Sequence, residues 1–147
     1  MAETVRGILG IKGRTVWSVT PEMTVYDALS LMAEKDIGAL MVISEGAVVG
    51  IFSERDYARK VILMGRSSKE VRVHEIMSSP VLAVTPEHSV EDCMKIVTAN
   101  RVRHLPVLDG GELAGVISIG DLVNAIISEQ AETIQALSAY ISGSYPG

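Results

Sequence analysis

The sequence is poor in aromatic residues and in cysteine. Its 147 residues include one tryptophan, one phenylalanine, four tyrosines and one cysteine. A lone cysteine cannot close an internal disulfide, which makes a reducing compartment, the cytoplasm, the expected one. No run approaches the roughly 20 apolar residues that span a bilayer. The stretches Ala39–Ile43 and Val81–Val84 are only strand-sized. The segment Met1 to Gly13 lacks a basic start followed by a sustained apolar run, so no secretory signal is expected. Basic residues are also scarce: 13 Lys and Arg against 18 Asp and Glu give a net charge of −5, and none follows Asp121. That balance argues against nucleic acid as a partner, and the short apolar runs argue against a membrane.

Catalytic signatures are missing as well. There is no phosphate-binding P-loop, no dinucleotide-binding Gly-x-Gly-x-x-Gly and no nucleophile-elbow serine. Gly7-Ile8-Leu9-Gly10 has no strand before it to make it a phosphate loop. His74, His88 and His104 are not spaced with Cys, Asp or Glu as a zinc site requires, and His88, beside a turn, reads as exposed. No enzyme activity, catalytic cofactor or metal is expected.

What is present is aliphatic. Apolar residues make up 48% of the chain, so the core must come from Val, Ile, Leu, Met and Ala, a mixture that suits helices packed on sheet. Val16–Tyr57 lies on Val81–Leu122 at a constant offset of 65 with no gap. The matches include Val16/Val81, Thr20/Thr85, Pro21/Pro86, Glu22/Glu87, Asp27/Asp92, Leu40/Leu105, Gly50/Gly115, Ser53/Ser118 and Asp56/Asp121. A gapless series that keeps turn residues, glycines and apolar spacing together makes the chain two copies of one unit.

Each copy reads strand, helix, strand, strand, helix. A short strand (Val16–Val19; Val81–Val84) stops at Thr-Pro-Glu, since proline cannot continue a sheet. A capping-box pattern, Thr24-x-x-Asp27 or Ser89-x-x-Asp92, precedes apolar residues at helical spacing. Cys93 stands where the first copy has Ala28, on that apolar face, and reads as core packing. A hairpin follows, Leu40–Ile43 with Val48–Phe52 and Leu105–Leu108 with Leu113–Ile117. The last helix of each copy starts at Ser53 or Ser118. One copy alone would be marginal, so the two are expected to pack through their sheets about a pseudo-twofold axis.

The expected organisation is an N-terminal segment over 1–14, a first repeat with linker over 15–75, a second repeat over 76–131 and a C-terminal helix and tail over 132–147. Arg59, Lys60, Arg66, Lys69 and Arg72 gather after the first repeat, as a solvated helix end or as an anion site. Leu122, Ile126, Ile127, Ile134, Leu137 and Ile141 outline a long or broken helix whose apolar face could cover a subunit interface, and Gly143, Pro146 and Gly147 mark a frayed end.

The most specific local feature is Gly50-x-x-Ser53-x-x-Asp56, echoed as Gly115-x-x-Ser118-x-x-Asp121. Ser-x-x-Asp at a strand-to-helix junction caps a helix whatever else the protein does. The same geometry offers a phosphate unpaired N–H groups, the positive end of the helix dipole and a serine hydroxyl. The aspartate has two acceptor oxygens suited to a ribose diol, and the glycine admits close approach.

These residues resemble the tandem repeats first named from cystathionine β-synthase, the CBS-domain pair or Bateman module. The resemblance runs from about Gly13 to about Glu129 and includes Arg103-His104-Leu105-Pro106-Val107. It implies an α/β fold of two pseudo-symmetric β-α-β-β-α repeats and a homodimer forming a flat disc. It also implies that Asp56 and Asp121 hold riboses and that Ser53 and Ser118 hold phosphates. The adenine walls would come from Val16, Ile37, Ala39 and Met41 in one site, with Gly38 beside them, and from Val81, Val102, His104 and Pro106 in the other. Phosphate-neutralising cations would differ: Arg55 in the first copy, Arg101 and Arg103 in the second, unless these two are only solvated charges. AMP is the expected ligand of the second site, and a second adenosine group or part of a dinucleotide such as NAD that of the first, with ATP, ADP or S-adenosylmethionine as further adenosine-containing candidates. The chain would then sense energy or redox state and report it to an effector protein. The competing expectation is a constitutive dimerisation or scaffold protein whose motif survives as helix capping.

Overall fold

The structure is a computed structural model that describes residues 3–141, with side chains through residue 138. Its elements run α1 (Val5–Lys12), β1 (Ser18–Val19), α2 (Val25–Lys35), β2 (Ala39–Ser44), β3 (Ala47–Ser53), α3 (Glu54–Tyr57), a π-helical turn (Ala58–Ile62), α4 (Val73–Ile76), α5 (Val90–Asn100), β4 (His104–Asp109), β5 (Glu112–Ser118) and α6 (Ile119–Ile141). They form two compact units of a mixed α/β fold. Thr15–Leu82 make the first-repeat unit, and residues up to Arg14 join those from Ala83 onward in the second-repeat unit.

In the first-repeat unit the sheet order is β1-β2-β3, with β1 parallel to β2 and β2 antiparallel to β3. Glu45 and Gly46 turn the hairpin with φ of 52° and 79°, the left-handed pair that a tight hairpin twist demands. In the second-repeat unit β4 and β5 pair in the same register, turned by Gly110 and Gly111, with the ladder slipping at Val107/Leu108 where the first slips at Val42/Ile43.

The strands expected over Val16–Val19 and Val81–Val84 are shorter than that. Only Ser18–Val19 is strand in the first copy, and in the second only Val84 pairs, as a single parallel bridge to Val107. One difference has a direct chemical cause. Met41 N–H donates to the Trp17 carbonyl at 3.2 Å, whereas the matching position in the second copy is Pro106, which has no N–H to donate. The bonds that do not need it survive: Val84 N–H to Pro106 O at 3.0 Å and Leu108 N–H to Val84 O at 2.8 Å.

Thr24 and Ser89 cap α2 and α5 through the N–H groups of Asp27 (3.2 Å) and Asp92 (2.9 Å). Among the described hydrogen bonds the reciprocal arm of the expected box is absent there. α2 and α5 end at Asp36 and Arg101, matching positions that both take φ of 54°.

The two short segments outside the repeat alignment prove to be copies of each other. Val73 N–H bonds Met23 O and Val5 N–H bonds His88 O, both at 2.9 Å; Val25 N–H bonds Val71 O at 2.8 Å and Val90 N–H bonds Glu3 O at 3.0 Å. Met23 and Val25 match His88 and Val90 at the offset of 65, but Glu3 and Val5 match Val71 and Val73 at 68. The helix that precedes the first repeat in the chain therefore completes the second-repeat unit, and α4, which precedes the second repeat, completes the first. The expected boundary at 75/76 accordingly cuts through α4, and the segment 1–14 is not separate from the repeats.

These helices close the cores. Val73 and Ile76 are buried with Val25, Ala28, Leu40, Val42 and Phe52 in one unit; Val5, Ile8 and Leu9 are buried with Cys93, Leu105, Val107, Ile117 and Leu122 in the other. Each buried Val, Leu, Ile or Phe among them contributes roughly 1.5–3 kcal/mol by leaving water. Burial pushes the Cys93 thiol up to about 11, with the Asp92 charge adding to the effect, so it stays protonated as a small apolar group. A Cβ added at Gly50 would come within 2.5 Å of Met77 Sδ, and one at Gly115 within 2.6 Å of Leu9 Cδ2. Expected results follow for denaturant unfolding. Gly50→Ala and Gly115→Ala each lose about 1–3 kcal/mol by overpacking, while Gly120→Ala, which meets only Ser118 Oγ at an ordinary 3.6 Å, loses none.

Candidate functional site

Both Ser-x-x-Asp motifs form full capping boxes at the strand-to-helix junction. In the first, Asp56 N–H donates to Ser53 Oγ at 3.2 Å and Asp56 Oδ2 accepts from Ser53 N–H at 3.0 Å. In the second, Asp121 N–H donates to Ser118 Oγ at 3.1 Å and Asp121 Oδ2 accepts from Ser118 N–H at 2.8 Å. Glu54 N–H then bonds Gly38 O at 3.1 Å, and Ile119 N–H bonds Arg103 O at 2.9 Å, fixing the loop before each hairpin to the start of each last helix.

The two aspartates differ in what else they hold. Asp56 is only 7% exposed. Its Oδ2 also accepts from Ser53 Oγ (3.0 Å), and its Oδ1 accepts from Ser78 Oγ (3.1 Å) and pairs with Lys60 Nζ at 3.2 Å. Lys60 in turn donates to Ile76 O at 2.9 Å. Both oxygens of Asp56 are thus engaged inside the unit, and a ribose diol would have to displace Ser78 and Lys60.

Asp121 is half-buried and its Oδ2 pairs with Lys12 Nζ at 2.7 Å. Lys12 also donates to Val116 O at 2.9 Å. Among the described residues Oδ1 of Asp121 has no hydrogen-bond partner. Burial works to raise the Asp121 carboxyl, but the Lys12 hydrogen bond, the Ser118 N–H and the Lys12 charge outweigh it and hold the group below the ordinary Asp value. A cavity of about 390 Å³ opens beside it, lined by Ile8, Ile11, Lys12, Asp121, Asn124 and Glu132 among others.

The asymmetry is legible residue by residue. Lys60 matches Ala125 at the repeat offset, so the second copy has no cation of its own at that place. Lys12, from α1, supplies one. Neither Lys12 nor Ser78 belongs to the aligned repeat, so no repeat or motif pointed to them; Lys60, four residues after Asp56 on a helical path, was the detectable one.

The other expected site residues divide by unit. Ala39 pairs with Ser53 across the hairpin, Met41 is buried, Val16 and Ile37 are half-buried, and Gly38 and Arg55 are exposed. His104 pairs with Ser118, Pro106 is buried, Val102 is half-buried, and Arg101 and Arg103 are exposed. Val81, expected with the second site, falls in the range of the first-repeat unit. Desolvation and the charges of Lys12 and Arg103 hold the His104 imidazole below its ordinary value, against the opposing pull of Asp121.

The linker cations are largely committed. Arg66 pairs with Glu75 at 2.7 Å, Arg72 donates to Glu22 O at 3.0 Å, and Lys69 lies 5.0 Å over the Tyr26 ring. His88 is half-buried rather than exposed, because its Nδ1 accepts from Thr85 N–H at 2.9 Å in the Thr-Pro-Glu turn. Among the described residues no group of three or more His, Cys, Asp or Glu could hold a metal ion. None of the described helices is long and apolar enough to cross a membrane.

Comparison with known proteins matches the CBS domain family at residues 11–62 and 73–128. The chain is 41% identical to a mitochondrial CBS domain-containing protein of Arabidopsis thaliana, CBSX3, over 97% of this chain and 73% of that protein. A solved CBS-domain protein from Burkholderia ambifaria is 55% identical, with a TM-score of 0.83 over 86% of this chain and 96% of the other. A hexameric CBS-CP12 protein from bloom-forming cyanobacteria is 34% identical, with a TM-score of 0.75 over 84% and 71% of the two chains.

Removing the two carboxylates should cost different amounts in urea unfolding at pH 7. Asp56→Ala is expected to lose about 2 kcal/mol, a cap plus the stranded Ser78 and Lys60, and Asp121→Ala about 1 kcal/mol, mainly the cap. For His104 the fold favours the neutral ring, so the unfolded chain binds the proton more readily. Stability therefore falls as the pH drops below the ordinary His value, and the loss is complete only below the folded-state pKa. Unfolding at pH 7 and pH 5 should show a smaller drop in His104→Gln than in the wild type.

Proposed function

The chain belongs to the CBS-domain family, with two CBS domains in tandem, and on that premise we propose that it is a regulatory module binding an adenosine-containing ligand through the second repeat. The observation that carries this reading is Oδ1 of Asp121, which has no hydrogen-bond partner among the described residues, in the unit that also holds the exposed Arg101 and Arg103. Asp121 is held ionised by Lys12 and oriented by Ser118, both on Oδ2, which leaves the lone pairs of Oδ1 to accept from ribose hydroxyls. Ser118 can donate its hydroxyl to a phosphate, the start of α6 presents the positive end of its dipole, and Arg101 and Arg103 offer charge compensation. AMP fits best because one phosphate matches that small set of donors; ATP, ADP, NAD and S-adenosylmethionine are the other candidates.

The first repeat supports the competing reading. With Asp56 closed by Ser53, Ser78 and Lys60, its motif serves as a cap, and a ligand there would have to displace Ser78 and Lys60 first. The ligand, on this proposal, acts by population shift: it favours one conformational or oligomeric state, which an effector protein distinguishes. The chain is regulatory rather than catalytic, works in a reducing compartment such as the cytoplasm, and self-associates as a homodimer. The hexameric relative shows how far assembly extends in one similar protein.

Calorimetric titration of AMP, ATP, ADP, NAD and S-adenosylmethionine against wild type, Asp56→Ala and Asp121→Ala tests it. Asp121→Ala should weaken binding about tenfold or more, the worth of a charged hydrogen bond, and Asp56→Ala should change it little. A bound ligand at a hundred times its Kd should raise stability by about 2.7 kcal/mol. No binding by any of the five, or equal binding by the Asp121→Ala protein, overturns the reading in favour of a constitutive scaffold.

A further inference from the structure

α6 is longer than its unit can cover. Leu122 and Ala125 are buried and Ile126 packs against the same core, but every described side chain from Ile127 to Ser138 is exposed. An isolated helical arm of this length is marginal in water, so its stability must come from packing. Its large apolar residues are not scattered. Val123, Ile127, Ile134 and Leu137 follow one another, with Gln130 between, at alternating spacings of four and three. Ile127, Ile134 and Leu137 are 56%, 63% and 58% exposed. At about 100° per residue the five positions fall within an arc of roughly 80°, a stripe separate from the core face of Leu122 and Ala125.

We propose that this stripe is a coiled-coil seam for a second copy of the same chain, pairing α6 with α6 in parallel. It deepens the homodimer reading above and rests on it. The seam puts Ile127 and Ile134 at a positions, the β-branched choice that suits a parallel pair, and Val123, Gln130 and Leu137 at d. Gln130 is the single polar seam residue and fixes register, since any offset pairing buries its amide against an aliphatic side chain.

Charge selects a like copy over other occupants. The flanking e and g positions hold Asn124, Ile126, Ala131, Thr133 and Ser138, all uncharged, while the acidic Glu129 and Glu132 lie off the seam. Two identical acidic helices can therefore meet without like-charge repulsion at the contact. An anionic lipid surface is disfavoured, because α6 has no Lys or Arg on any face.

Sedimentation equilibrium of the full chain tests the seam. The wild type should be dimeric at micromolar concentration. Ile127→Glu with Ile134→Glu should weaken dimerisation by about a hundredfold, through charge buried across an apolar seam, and Gln135→Glu, off the seam, should not. Both substituted sites are solvent-exposed in the protomer, so the fold is not at risk, and unchanged urea unfolding in the monomer checks that. Gln130→Cys should form an interchain disulfide on mild oxidation and Gln135→Cys should not; Cys93 is buried and does not interfere. A wild-type monomer overturns both this seam and the homodimer reading. A dimer that survives the double substitution, or cross-linking by Gln135→Cys as fast as by Gln130→Cys, overturns the seam alone and leaves dimerisation to another surface.

Discussion

Each unit has a hairpin sheet too small to bury its own face, and both are closed by a short segment that the chain supplies from beyond the repeat. The closure is specific because the sheet carries a glycine, Gly50 or Gly115, where the segment's Met77 or Leu9 side chain comes down. Backbone bonds then lock the segment beside the start of α2 or α5. The pairing of glycine with incoming side chain sets how near the segment lies to the Ser-x-x-Asp junction, and so which polar groups it can deliver there.

That delivery separates the two sites. In the first-repeat unit the segment after α4 brings Ser78, and the helical turn after Asp56 brings Lys60, so the carboxylate is satisfied from all sides. In the second-repeat unit Ala125 replaces the local lysine, and α1 brings Lys12 to one carboxylate oxygen and to the Val116 carbonyl. Two motifs that share Gly, Ser and Asp at one spacing thus become one closed cap and one carboxylate with an unpartnered oxygen among the described residues. The difference comes from neighbours that no motif includes.

Much of the fold was legible in the sequence because the repeat kept its turn residues and glycines at one offset. The hairpins, the caps at Ser53 and Ser118 and the core position of Cys93 all follow from local rules of turn, cap and periodicity. The shortened strand before Pro106 was legible in principle, since proline removes a donor wherever it stands. The exchange of α1 and α4 was not: their offset is 68 rather than 65, they are short, and which unit a helix joins is decided by tertiary packing. The role of Lys12 was hidden for the same reason, being set by a contact over a hundred residues away in sequence.

Lys12 makes the setting of that second carboxylate a discontinuous one. A chain that began after Gly13 would retain every residue of Gly115-x-x-Ser118-x-x-Asp121 and both arginines. It would nonetheless lose the cation that steadies the carboxylate, the wall that Ile8 and Ile11 give the adjoining cavity, and the Leu9 side chain seated over Gly115. The setting of the second carboxylate is in that sense written more than a hundred residues from its motif, where anything that clips, masks or displaces α1 would act on it without touching Gly115-x-x-Ser118-x-x-Asp121.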